Sequence, residues 1–264
     1  MTEFETLLYE QDQGVAWVTL NRPDAYNAFT PTMQRELATL WNDLKTNDDV
    51  HCIVLTGSGE KAFCTGIDRT SIATGDGFAF DPFTYDDPGR QLGPKSNGLW
   101  KPVIAAVNGM ACGGAFYFLG EVEFVIAADH ATFFDPHVTY GMAAVYEPIL
   151  MSRRMPFGEV MRMSLLGNHE RISAQRAFDI GLVSQVVPAG ELHDVAAWAA
   201  QAIASQPPRA VQATVRSLWA ARDLSTQQAI DLGGALLNLG IDQRDLDDGQ
   251  AQFSSGARIE WRTR

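Results

Sequence analysis

The chain is poor in sulfur and in positive charge. Its 264 residues include three cysteines, Cys52, Cys64 and Cys112. An odd count without paired spacing excludes a disulfide framework and reads as reduced thiols, which points to a cytoplasmic protein. Lys and Arg number 20 against 32 Asp and Glu, a formal net charge of −12. That balance argues against nucleic acid and an anionic membrane surface as partners, because both recruit basic proteins. A small phosphorylated ligand stays open, since a few local cations and helix N-termini are enough to hold one. The opening MTEFETLLYE is acidic and has neither a basic nor an apolar segment, so no signal peptide is expected. Residues 102–120 form the longest uncharged run, close to membrane-spanning length, but Asn108, Gly109, Gly113 and Gly114 interrupt it. A buried strand, a turn and a buried helix are expected there instead. The chain also lacks G-x-x-x-x-G-K-[ST], C-x-x-C and H-E-x-x-H, so neither a P-loop nor a zinc site is expected.

What is present is globular: 46% of the residues are apolar and 20% charged. The length suits one large domain, or one domain with a smaller C-terminal part. Residues 15–20 (VAWVTL) read as a strand, with 7–10 as its hairpin partner. Thr30 followed by Pro31 reads as a helix N-cap with proline in the first turn, and Met33, Leu37, Leu40 and Trp41 follow at helical spacing. HCIVLT (51–56), PVIAAV (102–107) and FVIAA (124–128) are continuous apolar runs, as expected of strands covered on both faces. Val195, Trp198, Ala199, Ala202 and Ile203 form one helical stripe, and Pro207-Pro208 closes that helix. From 210 onward helical patterns alternate with acidic turns such as 245–248. Residues 68–101 show no sustained period, as expected of a functional loop. Strands alternating with helices in this order give an α/β class.

Three segments suggest chemistry. Gly57 to Ala62 (GSGEKA) follows a strand and matches G-x-G-x-x-A, but the sequence beyond it is loop-like, so a plain glycine turn is the better reading than a dinucleotide fingerprint. KAFCTGID (61–68) and KPVIAAVNGMACGG (101–114) each run from an apolar strand into a glycine turn. Glycine lets the backbone approach a ligand closely, and two such turns can present two N–H donors to one oxygen. Two tight turns in a packed core would have the same spacing.

These residues also carry a resemblance. VAWVTLNRPDAYNAF, CIVLTGSGEKAFCTGID, KPVIAAVNGMACGG and ISAQRAFDIGLVSQVVP, in that order, resemble motifs of the crotonase (enoyl-CoA hydratase/isomerase) superfamily over almost the whole chain. The resemblance implies a spiral of ββα units over 1–190 and a C-terminal helical region over 191–264 that builds a homotrimer or a dimer of trimers. It implies an acyl-CoA substrate, with coenzyme A arriving as part of that substrate and no separate cofactor. The oxyanion donors would be the amides of Ile67 and Gly114. Coenzyme A would lie along Asn27, Ala28, Lys61, Ala62 and Phe63, with Lys61 either a phosphate partner or a solvated surface lysine.

The sequence departs from the family at the two glutamates its hydratases use. Tyr117 stands at the first position and His137 at the second, within Asp135-Pro136-His137. An imidazole suits proton transfer near neutrality, which makes His137 the expected proton carrier. Glu147 is expected either to orient or charge His137, or to serve only as an acid at a helix N-terminus. Tyr117 either hydrogen-bonds substrate or fills the pocket wall. Asp68 ends the first glycine turn as a pocket residue that caps local backbone. Tyr85, Asp86 and Asp87 are candidates to reach the acyl group, and Arg258 is the basic candidate in the tail. Three functions follow: enolate or oxyanion chemistry on an acyl-CoA thioester; hydrolysis of a thioester or β-diketone by a His137–Glu147 pair; or coenzyme A binding without catalysis.

Overall fold

The computed structural model describes residues 4–70 and 87–264. The N-terminal hairpin is β1 (Leu7–Asp12) and β2 (Val15–Leu20), and α1 (Pro31–Thr46) follows it. The Thr30 side chain caps α1 by accepting from the Met33 amide, a bond of a kind that contributes about 1 kcal/mol. Next come β3 (Cys52–Gly57) and β4 (Ala62–Cys64). Beyond the undescribed stretch lie β5 (Val103–Val107), β6 (Met110–Cys112), α2 (Ala115–Glu121), β7 (Val125–Ala128) and β8 (Thr132–Phe134). Then follow α3 (Tyr146–Met151), α4 (Phe157–Leu166), β9 (Ile172–Ser173), α5 (Ala174–Asp179) and β10 (Gln185–Val187). The C-terminal helices are α6 (Leu192–Ala204), α7 (Pro208–Asp223), α8 (Thr226–Gly240) and α9 (Gln243–Ser255).

The strands form two sheets among the described residues. One has the order β1-β2-β3-β5-β7-β10, the other β4-β6-β8-β9. From β2 to β10 every pairing of the larger sheet is parallel, and the β1–β2 hairpin closes one edge. Parallel strands need cover on both faces, and the alternation within β3 supplies it. Ile53 and Leu55 point into a core shared with Met33, Leu37, Leu40, Trp41 and Leu44 of α1. Cys52 and Val54 point to the opposite face, against Ala196, Ala199, Ala200 and Ala204 of α6. The three cysteines are free and buried.

Two local expectations are corrected. Trp198 and Ala202 do not face the core; Trp198 is 41% exposed, and the buried side of α6 is the alanine side. Small side chains let a helix lie close on a sheet, whereas an indole would hold it off. The Arg262 guanidinium stacks over the Trp198 ring 4.3 Å from its centroid. Residues 245–248 are not a turn but lie within α9, which Asp242 caps by accepting from the Arg244 amide. Asp245 then sits in the first helical turn, where the exposed N–H groups favour a negative charge. Among the described residues no helix is long and apolar enough to cross a membrane.

Candidate active site

The first glycine bend joins β4 to residue 70. Gly66 there has φ +85°, a conformation that only glycine adopts without strain. Phe29 holds the bend by donating its amide to the Gly66 carbonyl and accepting from the Asp68 amide, both at 2.8 Å. Alternate amides along an extended segment face opposite edges, so the N–H of Ile67 points away from Phe29. The second bend joins β6 to α2 through Gly113, φ +52°, and Gly114 precedes the first residue of the helix. The bends touch. A Cβ on Gly66 would lie 2.8 Å from the Gly114 nitrogen, and a Cβ on Gly114 would lie 3.1 Å from the Gly66 Cα and 2.5 Å from the Phe29 ring. Among the described residues neither the Ile67 nor the Gly114 amide donates to another backbone group. Two unspent amides lie on adjoining bends, which suits an oxygen that gains negative charge.

His137 stands beside this pair. A Cβ on Gly113 would lie 3.7 Å from the imidazole Cε1. His137 opens a short 3₁₀ turn after β8, where Asp135 Oδ1 accepts from both the His137 amide (3.1 Å) and ring Nδ1 (2.5 Å). The other ring nitrogen, Nε2, is 3.4 Å from Glu147 Oε1. Glu147 lies in the first turn of α3, is buried and faces the imidazole. The Asp135 side chain is fully buried, and its Oδ2 has no hydrogen-bond partner among the described residues. Three carboxylates act electrically on the imidazole. The Asp135 hydrogen bond raises the His137 pKa above the ordinary histidine value despite burial, and the Glu147, Asp135 and Asp87 charges add to the rise. Burial raises the Glu147 pKa, which His137 opposes. Each partner therefore holds its proton to higher pH than it would in water.

Tyr117 is buried in α2, and its hydroxyl donates to Asp87 Oδ1 at 2.8 Å. Asp68 accepts from Arg22 Nη2 (2.8 Å) through Oδ2 and from the Thr70 amide and hydroxyl through Oδ1. Its carboxylate is therefore held by Arg22 on one oxygen and by its own bend on the other. Tyr85 and Asp86 lie outside the described residues.

The expected coenzyme A track is stitched together from inside. Asn27, in the left-handed region at φ +56°, accepts from the Arg22 amide and donates through Nδ2 to the carbonyls of Ser58 (3.0 Å) and Ala62 (2.8 Å). Arg22 Nη1 donates to the Ala28 carbonyl at 2.6 Å. Phe63 is a core side chain, edge-on to Phe118. Asn27, Ala28, Ala62 and Phe63 are thus buried, and Lys61 presents an exposed side chain. The turn from Gly57 to Ala62 links two strands and opens no helix. Arg258 lies in the exposed tail, its guanidinium 5.9 Å from the Phe253 ring centroid.

Asp135 carried no expectation of its own. The available signal was its place two residues before His137 with proline between, a spacing at which an Asp side chain bonds the backbone two residues on. Asp87 lies within the aperiodic stretch, where no spacing rule couples it to Tyr117, 30 residues away.

A family model described as enoyl-CoA hydratase/isomerase matches residues 10–264. The chain is 35% identical over 246 residues to the (E)-benzylidenesuccinyl-CoA hydratase of Thauera aromatica, covering 92% of this chain and 94% of that one. It is 31% identical over 258 residues to the 1,2-epoxyphenylacetyl-CoA isomerase of Escherichia coli strain K12, covering 94% and 95%. Among solved structures, an enoyl-CoA hydratase/isomerase from Mycobacterium paratuberculosis superposes with a TM-score of 0.86 at 34% identity, covering 99% of this chain and 100% of the other.

Proposed function

The chain belongs to the enoyl-CoA hydratase/isomerase family, within the crotonase superfamily, and from that premise we propose that it acts on an acyl-CoA thioester by stabilising an oxyanion or enolate. The observation that carries the reading is the meeting of the Ile67 and Gly114 amides beside His137. The thioester oxygen gains charge when a nucleophile adds at the β-carbon of a conjugated enoyl group. Preorganised donors stabilise that charge more than they stabilise the ground-state carbonyl.

The reaction we assign is addition of water to the double bond. His137 and Glu147 share a proton between Nε2 and Oε1. The pair takes a proton from water as the oxygen bonds to the β-carbon, the thioester oxygen accepts the charge, and the pair returns a proton to the α-carbon. Asp135 fixes the ring by holding Nδ1–H, so Nε2 faces Glu147. The hydratase from Thauera supports this assignment. Hydrolysis is the second reading, and the Asp135–His137 bond favours it, because a carboxylate-oriented imidazole also activates water against an acyl carbon. Crotonyl-CoA separates the two: hydration removes the enoyl absorbance without free thiol, and hydrolysis releases thiol. Binding of a broad acyl-CoA panel with neither change removes both.

We also assign self-association, as a trimer or a dimer of trimers, to the C-terminal helices. Leu218, Ile230, Leu237 and Phe253 on α7, α8 and α9 are each more than 60% exposed, an apolar surface of the kind that marks an interface. Light scattering on the purified protein tests it, and a monomer would contradict it.

A further inference from the structure

Outside the candidate active site a second cavity lies between α7 and the segments that lead into β5 and β7. Its volume is about 590 Å³, within the roughly 300–1,000 Å³ usual for small-molecule sites. None of the residues assigned to the candidate active site lines it. Phe124, Val211, Val215 and Leu218 give it apolar walls, and Arg154, Arg222 and Glu123 gather around the indole of Trp219. The Arg222 guanidinium lies 4.8 Å from the centre of that ring and the Arg154 guanidinium 5.9 Å. The indole nitrogen donates to Glu123 Oε1 at 2.7 Å. Glu123 also pairs with Lys95 (3.0 Å) and accepts from the Val103 amide, so its charge is already matched.

The two guanidinium groups are not matched. Arg154 donates to the carbonyls of Gly120 and Val122, and Arg222 stacks on the indole. Among the described residues neither forms an ion pair with a carboxylate. Burial first, and then the Arg222 charge, push the Arg154 pKa down to about 10, with Glu123 and Glu121 opposing. The Arg222 pKa is also lowered, by burial and then by the Arg153 charge, with Asp223 opposing. Two positive groups that are close together and partly removed from water favour an anion set against both. A guanidinium fork suits the two oxygens of a carboxylate, and the apolar walls suit a hydrocarbon body. We propose that this cavity is a second ligand site, which takes an alkyl carboxylate with its head group against Arg154 and Arg222 and its chain along Val211, Val215 and Leu218. The site stands apart from the thioester reading, because it uses none of the residues that carry that reading. Leu218 also belongs to the apolar surface assigned above to self-association, so the cavity borders that surface.

Calorimetric titration of the purified protein with octanoate, 1-octanol and acetate tests the site without requiring turnover. Octanoate is expected to bind about tenfold more tightly than 1-octanol, the worth of one hydrogen bond to a charged group. It is also expected to bind more tightly than acetate, which carries the head group without the chain. Arg222→Met is expected to lower the octanoate affinity about tenfold and to hold the 1-octanol affinity within about twofold. Val211→Phe narrows the cavity without touching its charges and is expected to weaken both long-chain ligands. Circular dichroism melting shows that each variant is folded. Absence of octanoate binding in the wild type overturns the proposal and leaves the cavity to a neighbouring copy. Equal affinities for octanoate and 1-octanol, or for octanoate and acetate, also overturn it. An octanoate affinity unchanged in either folded variant overturns it as well, because the ligand then sits elsewhere.

Discussion

At one end of the candidate site two peptide nitrogens, of Ile67 and Gly114, lie on adjoining glycine bends. At the other end an imidazole stands between Asp135 and Glu147. The first end uses no side chain. Its position follows from local conformations, φ +85° at Gly66 and +52° at Gly113, and from Phe29 gripping one bend. The second end is assembled from residues on two elements, one of them a carboxylate whose second oxygen has no partner among the described residues. A backbone device tolerates almost any substitution that spares its glycines. A side-chain device is rebuilt by changing a few residues. The same grip on an oxygen is therefore compatible with different proton chemistry beside it.

That contrast is broken most severely by Gly66→Ala. The new methyl would lie 2.8 Å from the Gly114 nitrogen, and alanine at φ +85° is strained by about 1–2 kcal/mol. Loss of one oxyanion donor costs about 10²–10³ in kcat, and this substitution disturbs both, so turnover is expected to fall beyond that range. Circular dichroism melting should show the accompanying loss of stability. His137→Ala spares the backbone end and removes the proton carrier. Steady-state kinetics should show kcat lower by about 10²–10⁴ with little change in KM. If turnover is undiminished, His137 has no part in the chemistry.

Milder substitutions sharpen the contrast through pH. Asp135→Asn removes the negative charge behind the hydrogen bond that most raises the His137 pKa. Its kcat is expected to fall about 10²-fold, toward the lower limit for acid–base assistance. The limb of the pH–rate profile that reports the imidazole should move to lower pH, because the imidazolium loses its strongest stabilising partner. Glu147→Gln should move the same limb in the same direction by less, since the Glu147 charge ranks below the Asp135 bond and below opposing burial. A shift toward higher pH in either variant would contradict the assignment of these carboxylates.

The two ends also differ in how far the sequence exposes them. Glycine turns after apolar strands are local patterns, and the hairpin, the capped helix α1 and the strands β3, β5 and β7 are equally local. Resemblance to the superfamily then brought Ile67 and Gly114 together, which no spacing could do. The resemblance marked His137, at the position of a family glutamate, and Glu147 entered as the acid ten residues on. Asp135 was hidden by its ordinary role as a turn residue; Asp87 was named as a candidate, but its bond to Tyr117 was not legible. The phase of α6 was misread because hydrophobicity favours tryptophan for the core, whereas close packing on a sheet favours Ala196, Ala199, Ala200 and Ala204.

The grip on the thioester oxygen is tested most directly by the infrared carbonyl stretch of butyryl-CoA, isotopically labelled at the thioester carbon and bound to the wild-type protein. Two amide donors converging on that oxygen polarise the bond, so the band should move to lower frequency on binding. A bound ligand whose band stays at its solution frequency would show that the amides of Ile67 and Gly114 do not hold the oxygen.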